Sequence, residues 1–317
     1  MLIYLLRRIL YALPIMLGVA LVCFALVHIS PGDPLVSILP PDASADLQAQ
    51  LRELYGFNRS YPEQFASWVW RAVHGDLGTS IASGRAVSTE VMRAVGNTLM
   101  LAAVATLIGF FLGGLFGFVA GYFQHSWVDK AASLLSVLGV SVPHYWLGMV
   151  LVIVFSSQLM WLPASGAGPG GSGDWLWNWE HVQHLVLPAI TMSVIPMGII
   201  ARTLRALVAD ILGQEFIVGL RAKGLTHLGV FAHVVKNAAP TALAVMGLQL
   251  GYLLGGSILI ETVFSWPGTG FLLNSAIFQR DLPLLQGTIL VLAMFFVVLN
   301  LIVDVVQTFL DPRIARA

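Results

Sequence analysis

The sequence contains few charged residues and a single cysteine, and each scarcity argues against a class of protein. Only 10% of the 317 residues are charged, whereas soluble domains carry about a quarter, so an ordinary soluble enzyme is not expected. Sixteen basic residues balance 16 acidic ones, so net charge does not favour a nucleic-acid partner. Cys23 lies alone in an apolar run, which excludes an intrachain disulfide and a metal site built from cysteines.

Several motifs typical of nucleotide binding, metal binding or catalysis are also missing. The phosphate-binding pattern GxxxxGK[ST] does not occur, so any ATP that drives this protein is expected to bind another subunit. The patterns HExxH and GxSxG are absent, and no nucleophile or metal set is assembled for a membrane-embedded enzyme. His181 and His184 could share one helix face, but no third ligand lies nearby, so we prefer an interfacial role to metal binding.

Long apolar stretches are what the sequence does contain. Hydrophobic residues make up 57% of the chain, and about 20 helical residues suffice to cross a bilayer. The third stretch must end near residue 160, because Pro163 and the glycine-rich run that follows cannot satisfy their backbone polar groups in lipid. We therefore predict an all-α polytopic membrane protein with six transmembrane helices, in the stretches 9–32, 94–128, 131–173, 181–201, 237–260 and 282–303.

Basic residues are concentrated in every second connecting segment. Ten of the 16 Lys and Arg residues lie in segments 1–8, 122–130, 202–238 and 308–317. Cytoplasmic loops carry an excess of Lys and Arg, so this asymmetry predicts that both termini face the cytoplasm. The first stretch also resembles a signal peptide, but it is longer than the apolar part of one and no small-residue cleavage site follows it.

The outer segment between the first and second stretches is too long for a turn. Apolar residues recur at helical spacing in 47–54 and again in 65–73, which predicts two short helices. We expect these helices to pack against the membrane-embedded bundle, and contact with an external partner is the alternative. The chain then divides into residues 1–30 with the first helix, a periplasmic loop at 31–95 and a five-helix core at 96–317.

The inner segment 202–238 has the pattern of a helix-turn-helix elbow. Residues 214–223 can form a short helix, Gly224 suits its C-terminal cap, and Thr226 suits the N-cap of the next helix. A short helix that buries no face of its own needs something to dock against. It either binds a partner or lies on lipid with Arg221 and Lys223 near the headgroups, and the residues alone favour neither.

Polar residues inside the spans are candidates for function because they are costly in lipid. His144 follows Pro143, and a proline there frees backbone carbonyls and kinks the helix, which can shape a cavity. After the fifth stretch, Pro267 and the glycines that follow predict a tight protruding turn. Most polar residues in the spans lie near span ends, where hydration explains them; the set is His28, His144, Gln249, Glu261, Asn300 and Asp304.

Residues 215–241 resemble the cytoplasmic signature of ABC importer permeases. The run Arg221-Ala222-Lys223-Gly224-Leu225, followed by His233, Asn237-Ala238 and Pro240, is similar to the peptide-importer branch. Nearly the whole chain resembles the B-type permease subunit of dipeptide and oligopeptide importers, whose relatives also carry nickel chelates, glutathione and opines. Five further blocks occur in the family's order: Arg7-Arg8 with Pro31-Gly32-Asp33-Pro34, Gly75-Asp76-Leu77-Gly78 with Ser80, Leu187-Pro188-Ala189, residues 261–268, and Asn300-Leu301 with Asp304 and Asp311-Pro312-Arg313.

This resemblance implies the ABC importer permease fold in a bacterial inner membrane. The chain would form half of a translocation pathway for peptides or related small solutes, and it would not be an enzyme. The implied partners are a C-type permease in a heterodimer, two ATP-binding subunits and a periplasmic or lipid-anchored solute-binding protein. ATP and Mg would bind the ATPase subunits, with no cofactor on this chain. The alternative is a standalone secondary transporter or channel, which needs no docking elbow.

The resemblance also assigns roles to particular residues. It implies a coupling helix at about 212–226 that contacts the ATPase through Glu215, Arg221, Ala222, Lys223, Gly224 and Leu225. The sequence departs from the family at 218–220, where the family has a basic or polar residue followed by small ones. The turn after the fifth stretch would lie at the pathway's outer mouth. Candidates for the pathway or its mouth are His144, Glu261, Trp266, Pro267 and Thr269.

Overall fold

The computed structural model describes residues 2–29, 44–54 and 58–310, and helices form most of this part. Within it, strand pairing is limited to an isolated bridge between Thr79 and Ala86. The all-α fold predicted from the sequence is therefore confirmed. The helices are α1 Leu2–Ile29, α2 Ala45–Leu54, α3 Tyr61–Val73, α4 Val87–Tyr122, α5 Trp127–Ser141, α6 His144–Leu151 with a π-helical continuation Val152–Gln158, α7 Trp179–Leu212, α8 Glu215–Ala222, α9 His227–Val263, α10 Thr269–Gln279 and α11 Leu282–Leu310.

Among the described residues, four helices are long and apolar enough to cross a membrane. They are Val87–Tyr122, Trp179–Leu212, His227–Leu253 and Leu282–Ile302, and the bent pair formed by α5 and α6 would be a fifth. These helices coincide with five of the six predicted stretches. The first stretch runs beyond the described residues, and the apolar part of α1 is Leu13–Ala25. Outside the described part lie the blocks at 31–34 and 311–313 and the side chains of His28 and Asp304.

The third predicted span is a broken helix rather than a continuous one. α5 and α6 with its continuation meet at an angle of 100°. Val142 is extended at the break, with φ −82° and ψ 127°, and Pro143 is the N-cap of α6. Proline disfavours the helical conformation in the residue before it, which explains why α5 stops here. The bend predicted beside His144 is present. It separates two helices, whereas the sequence predicted a kink within one helix.

Residues 1–97 and 267–298 form one compact unit, and residues 98–266 and 299–317 form another. In the first unit, Trp68 of α3 is buried against Phe24 of α1, with their ring centroids 6.4 Å apart, and the same cluster includes Leu290 of α11. The expected packing of this short helix on long helices is therefore present. In α2 the described side chains, at positions 46–50, 52 and 53, are exposed. Leu51 and Leu54 of its predicted apolar stripe lie outside the described side chains.

A buried carboxylate ties the chain before α4 to the start of α11 within the first unit. Asp281 is fully buried, and its Oδ2 accepts hydrogen bonds from the Ser80 hydroxyl at 2.5 Å and the Ala82 amide at 3.0 Å. Its Oδ1 accepts from the Leu284 amide at 3.1 Å, which caps the first turn of α11. Asp281 does not stand out in the sequence, because its partner Ser80 is distant along the chain.

In the second unit, four glycines on α4 let its backbone approach α7 very closely. They recur every four residues and so lie on one helix face; we call Gly109, Gly113, Gly117 and Gly121 the glycine ladder. A Cβ atom at Gly117 would lie 2.5 Å from the Ala201 carbonyl oxygen, and one at Gly121 would lie 2.7 Å from that of Arg205. Small residues favour such contacts in membranes, where apolar side chains gain little by leaving lipid.

Three apolar clusters follow one another along α4 and α9 in the second unit. Phe118 and Tyr122 pack against the elbow cluster, which consists of Val208, Ile211, Ile217, Val230, Val234 and Ala238. Phe110 and Met246 pack against the middle cluster of Ile200, Leu204 and Ala242. The far cluster includes Leu101, Ala105, Leu253 and Ile260. From the elbow cluster to the far cluster, residue numbers fall along α4 and rise along α9. These two helices therefore run antiparallel.

Candidate functional site

The predicted elbow is present, and both of its caps form. α8 ends where Gly224 adopts φ +78°, and the Gly224 amide donates to the Arg221 carbonyl at 2.9 Å. This left-handed residue just past the helix suits glycine, which has no Cβ to strain the backbone there. Thr226 is the N-cap of α9, and its side chain accepts from the Gly229 amide at 3.3 Å. The residue types at 224 and 226 therefore predicted both helix ends correctly.

The elbow helix does bury a face of its own, so the expectation of a helix without one is wrong. Ile217 is fully buried in the elbow cluster between residues of α7 and α9. Leu220 and Leu225 pack against the same cluster. Burying an isoleucine side chain contributes roughly 2 kcal/mol. α8 is therefore attached to the ends of two long helices.

The opposite surface of the elbow is exposed and combines apolar and charged side chains. Val218 is 63% exposed and Phe216 is 38% exposed. Of the residues that the resemblance assigned to ATPase contact, five are exposed and Leu225 is half-buried; the exposed ones are Glu215, Arg221, Ala222, Lys223 and Gly224. In the divergent segment 218–220, only Leu220 packs inward, so the departure from the family changes the outer surface more than the packing.

An ion pair beside the elbow was not predicted from the sequence. Asp129, in the first turn of α5, accepts from Nε of Arg205 at 2.9 Å and from its Nη2 at 2.7 Å. Asp129 also accepts from the His125 amide at 2.9 Å, which fixes the turn between α4 and α5. Arg205 precedes Val208 of the elbow cluster by about one helical turn. A bidentate pair is geometrically specific, so it holds this turn in a defined position on α7.

Residues after the fifth span form a buried turn, so the prediction of a protruding one is wrong. α9 continues to Val263, and Phe264 and Trp266 are almost fully shielded from solvent. The Trp266 ring packs edge-on against Trp175 with centroids 5.6 Å apart. Burial of two large aromatic side chains outweighs the turn signal of the proline and glycines, which indicates a turn but not its direction.

The other candidates near this turn are buried as well. Glu261 is fully buried, and its Oε1 accepts from the Thr98 hydroxyl at 2.7 Å. In the first unit, the side-chain amide of Asn97 donates to the Pro267 carbonyl oxygen at 2.8 Å. Thr269 is 1% exposed. Half-buried His144 begins α6 directly after the break. Their assignment to the pathway or its mouth stays a prediction.

The two histidines at the start of α7 hold the glycine-rich loop. Nε2 of His181 lies 3.1 Å from the Pro169 carbonyl oxygen, and its Nδ1 lies 2.7 Å from Oδ1 of Asn178. Nδ1 of His184 lies 2.9 Å from the Ser165 carbonyl oxygen. Their ring nitrogens thus face oxygens of the loop and the helix cap. Over the described ranges, no group of three or more His, Cys, Asp or Glu side chains could hold a metal ion.

Known proteins match nearly the whole chain. Residues 113–316 match the family described as binding-protein-dependent transport system inner membrane component, and residues 1–102 match its N-terminal family. The dipeptide transport system permease protein DppB of Alkalihalophilus pseudofirmus is 37% identical over 99% of each chain. The glutathione transport system permease protein GsiC of Salmonella typhi is 36% identical over 99% of each chain. A putative peptide transport system permease protein of Brucella abortus is 36% identical over 98% of each chain.

A solved structure supports the fold. The inward-facing MetNI methionine ABC transporter contains a chain that superimposes with a TM-score of 0.56 at 16% sequence identity. The match covers 70% of this chain and 96% of that chain. At this identity the likeness extends to the arrangement of helices and not to the solute.

Proposed function

This chain belongs to the family of binding-protein-dependent transport system inner membrane components, the permease subunits of ABC importers, and we propose that its solutes are peptides or small peptide-like molecules. The observation that carries the proposal is full-length identity of 36–37% to permeases named for dipeptide, peptide and glutathione transport. The chain is a transport subunit in the inner membrane, and its apolar helices span that membrane.

Permeases of this kind act with ATPase and substrate-binding partners. The finer assembly that we propose is a heterodimer with a C-type permease, two ATP-binding subunits, and a periplasmic or lipid-anchored binding protein. ATP and Mg bind the ATPase subunits, and this chain contributes no cofactor site. Support comes from the missing GxxxxGK[ST] pattern, which leaves nucleotide binding to other chains.

The elbow is suited to transmit movement from an ATPase to the membrane helices. Its exposed face is available to a partner, while Ile217 attaches its inner face to α7 and α9. A force on the exposed face therefore moves the ends of these helices as a rigid body. ATP-driven closure can pump a solute only if the two states bind it with different affinity.

Reconstitution tests the proposed solute class. The chain, its partner permease, ATPases and binding protein would be purified together and placed in proteoliposomes. We expect ATP-dependent accumulation of radiolabelled glycylglycine that requires the binding protein. A complex whose ATPases carry a substituted catalytic residue is the control and should accumulate none. ATPase activity stimulated by the binding protein without uptake of any di- or oligopeptide would contradict the proposal.

We propose that both termini and the elbow face the cytoplasm, because basic residues are enriched in those segments. A reporter enzyme that is active only in the periplasm should work when fused after Asp46 or Asp174 and fail after Gly224. Each fusion would be quantified by immunoblot, so that low activity is not confused with low expression. Activity at the Gly224 fusion would reverse the assigned orientation.

A further inference from the structure

The ion pair between Asp129 and Arg205 joins α5 to the end of α7 that carries the elbow. Both oxygens of Asp129 accept two hydrogen bonds. Oδ1 accepts from Nε of Arg205 at 2.9 Å and from the Ser133 hydroxyl at 3.3 Å. Oδ2 accepts from Nη2 of Arg205 at 2.7 Å and from the His125 amide at 2.9 Å. The Asp129 side chain is 6% exposed and that of Arg205 is 35% exposed, so the pair is partly buried.

α5 lies along α7 in an antiparallel register that places this pair two helical turns from a close backbone contact. A Cβ atom at Gly198 of α7 would lie 2.7 Å from the Ser136 carbonyl oxygen of α5. Ser136 follows Asp129 by seven residues, and Gly198 precedes Arg205 by seven. Packing at Gly198 is close but non-directional, whereas a bidentate ion pair fixes both a distance and an orientation.

α5 contributes no residue to the elbow cluster in the part of the chain that the structure describes. The cluster and the apolar side chains packed on it come from α4, α7, α8, α9 and the turn after α8. Ile217 of the elbow is therefore attached to α7 and α9 but not to α5. Arg205 lies three residues before Val208 of this cluster, so the ion pair holds α5 at the elbow end of α7.

The pair contributes defined geometry more than stability. Moving two charges out of water costs free energy, and replacing a buried ion pair by apolar residues of similar volume is often neutral or stabilising. Removing one partner alone is destabilising, because it leaves a buried charge without its counter-ion. A function of this pair is therefore tested by replacing both partners at once.

We propose that Asp129 and Arg205 are positioning residues that make α5 follow the elbow. When an ATPase moves α8, the ends of α7 and α9 move with it, and the ion pair carries this movement to α5 and to the broken span that α5 forms with α6. Without the pair, α5 would be held on α7 by non-directional packing, and part of the movement would be lost. This inference rests on the proposed function, because it takes the elbow to receive force from an ATPase.

The double variant with Asp129→Asn and Arg205→Met tests this role. Asparagine retains an oxygen for the His125 amide, and methionine retains much of the arginine's apolar length, so no buried charge is left without a partner. In proteoliposomes containing the complete complex, we expect the glycylglycine accumulated per ATP hydrolysed to fall about fivefold or more, the lower end of typical coupling between sites. The ATPase subunits should remain bound, because the exposed face of α8 is unchanged.

Arg202→Met is the matched control, because it removes an exposed positive charge one turn earlier on α7. It should leave the glycylglycine accumulated per ATP at the wild-type value. The apparent melting temperature supplies a second readout. We expect the double variant to melt within a few degrees of wild type, since both charges are removed together.

The possible results separate this role from the wider proposal. An unchanged ratio of uptake to hydrolysis in the double variant would overturn the positioning role, and a lowered melting temperature alongside it would identify a purely structural pair. Loss of the ATPase subunits from the double variant, or an equal fall of the ratio in Arg202→Met, would also overturn it. If the wild-type complex shows no ATP-driven uptake of glycylglycine, the proposed function fails and this role with it. Uptake by wild type and a lowered ratio confined to the double variant support both.

Discussion

Gly117→Ala is expected to prevent correct folding of the permease, although it adds one methyl group. The new Cβ would lie 2.5 Å from the Ala201 carbonyl oxygen and 2.8 Å from its Cα atom. These are backbone atoms of α7, so no side-chain rotation can relieve the overlap. Overpacking typically costs about 1–3 kcal/mol, and a rigid backbone obstacle places this site at or above the upper end. Fluorescence-detected size exclusion of the solubilised protein measures the folded fraction.

The same helix offers a matched control three residues earlier. A Cβ at Gly114 would meet the flexible end of Met246 at 3.9 Å, which is an ordinary van der Waals contact. Gly114→Ala should therefore give a wild-type elution profile and melting temperature, and alanine's higher helix propensity favours it slightly. Equal folded yields from the two variants would show that α4 and α7 do not approach as closely as described.

Features that depend on neighbours within one or two helical turns were predictable from the sequence. The caps at Gly224 and Thr226 follow from residue type and position alone, and both are present. The break at Pro143 follows from the missing N–H group and the restricted residue before it. Hydrophobic length predicted the long helices, because a helix needs about 20 apolar residues to cross the bilayer.

Features that depend on contacts between helices distant in the chain were not predictable from the sequence. The four-residue spacing of the glycine ladder indicates a close helix contact but does not identify α7 as the partner. Asp281 and Ser80 are separated by 201 residues, and Asp129 and Arg205 by 76, so no local pattern connects them. The direction of the turn at Trp266 is not predictable for the same reason, since it depends on Trp175, the aromatic residue that Trp266 packs against.

Two polar residues of the long helices show the same division. Gln249 was noted in the sequence because a polar residue inside an apolar stretch is costly in lipid. Thr106 was not, because threonine is common in membrane helices and normally bonds to its own helix. Only the tertiary structure shows that Oγ1 of Thr106 and Oε1 of Gln249 are buried without a hydrogen-bond partner among the described residues. Local chemistry thus identified a candidate, and packing supplied its context.

Replacing Gly224 by valine should leave a permease that inserts but couples poorly to its ATPases. Gly224 has φ +78°, and a Cβ there would meet nothing within 4 Å, so the cost lies in the backbone conformation alone. That cost is about 1–2 kcal/mol for an ordinary residue, and a β-branched side chain is the least suited to it. Distortion of this cap would shift α8 relative to α7 and α9, against which Ile217 packs. Co-purification of the ATPases and hydrolysis stimulated by the loaded binding protein would measure the effect.

Gly224→Asn separates backbone strain from the mere presence of a side chain. Asparagine tolerates the left-handed conformation, so this variant should retain most of the stimulated hydrolysis that Gly224→Val loses. Both side chains would project into open space, so steric interference with a docked ATPase would impair the two variants alike. Equal loss of stimulated hydrolysis in both would therefore place the defect in the docking surface rather than in the turn.

Charge reversal at Arg221 and Lys223 tests the docking surface itself. Both side chains are exposed on the elbow, so their attraction to acidic partner residues should be screened by salt. The variant with Arg221→Glu and Lys223→Glu should retain fewer ATPase subunits than wild type at low salt, and the difference should shrink as salt rises. A helix that rests on lipid would instead lose membrane association with its ATPases still bound. Normal retention and normal stimulation in both this variant and Gly224→Val would remove the elbow from the coupling mechanism, because its surface charge and its cap would then both be dispensable.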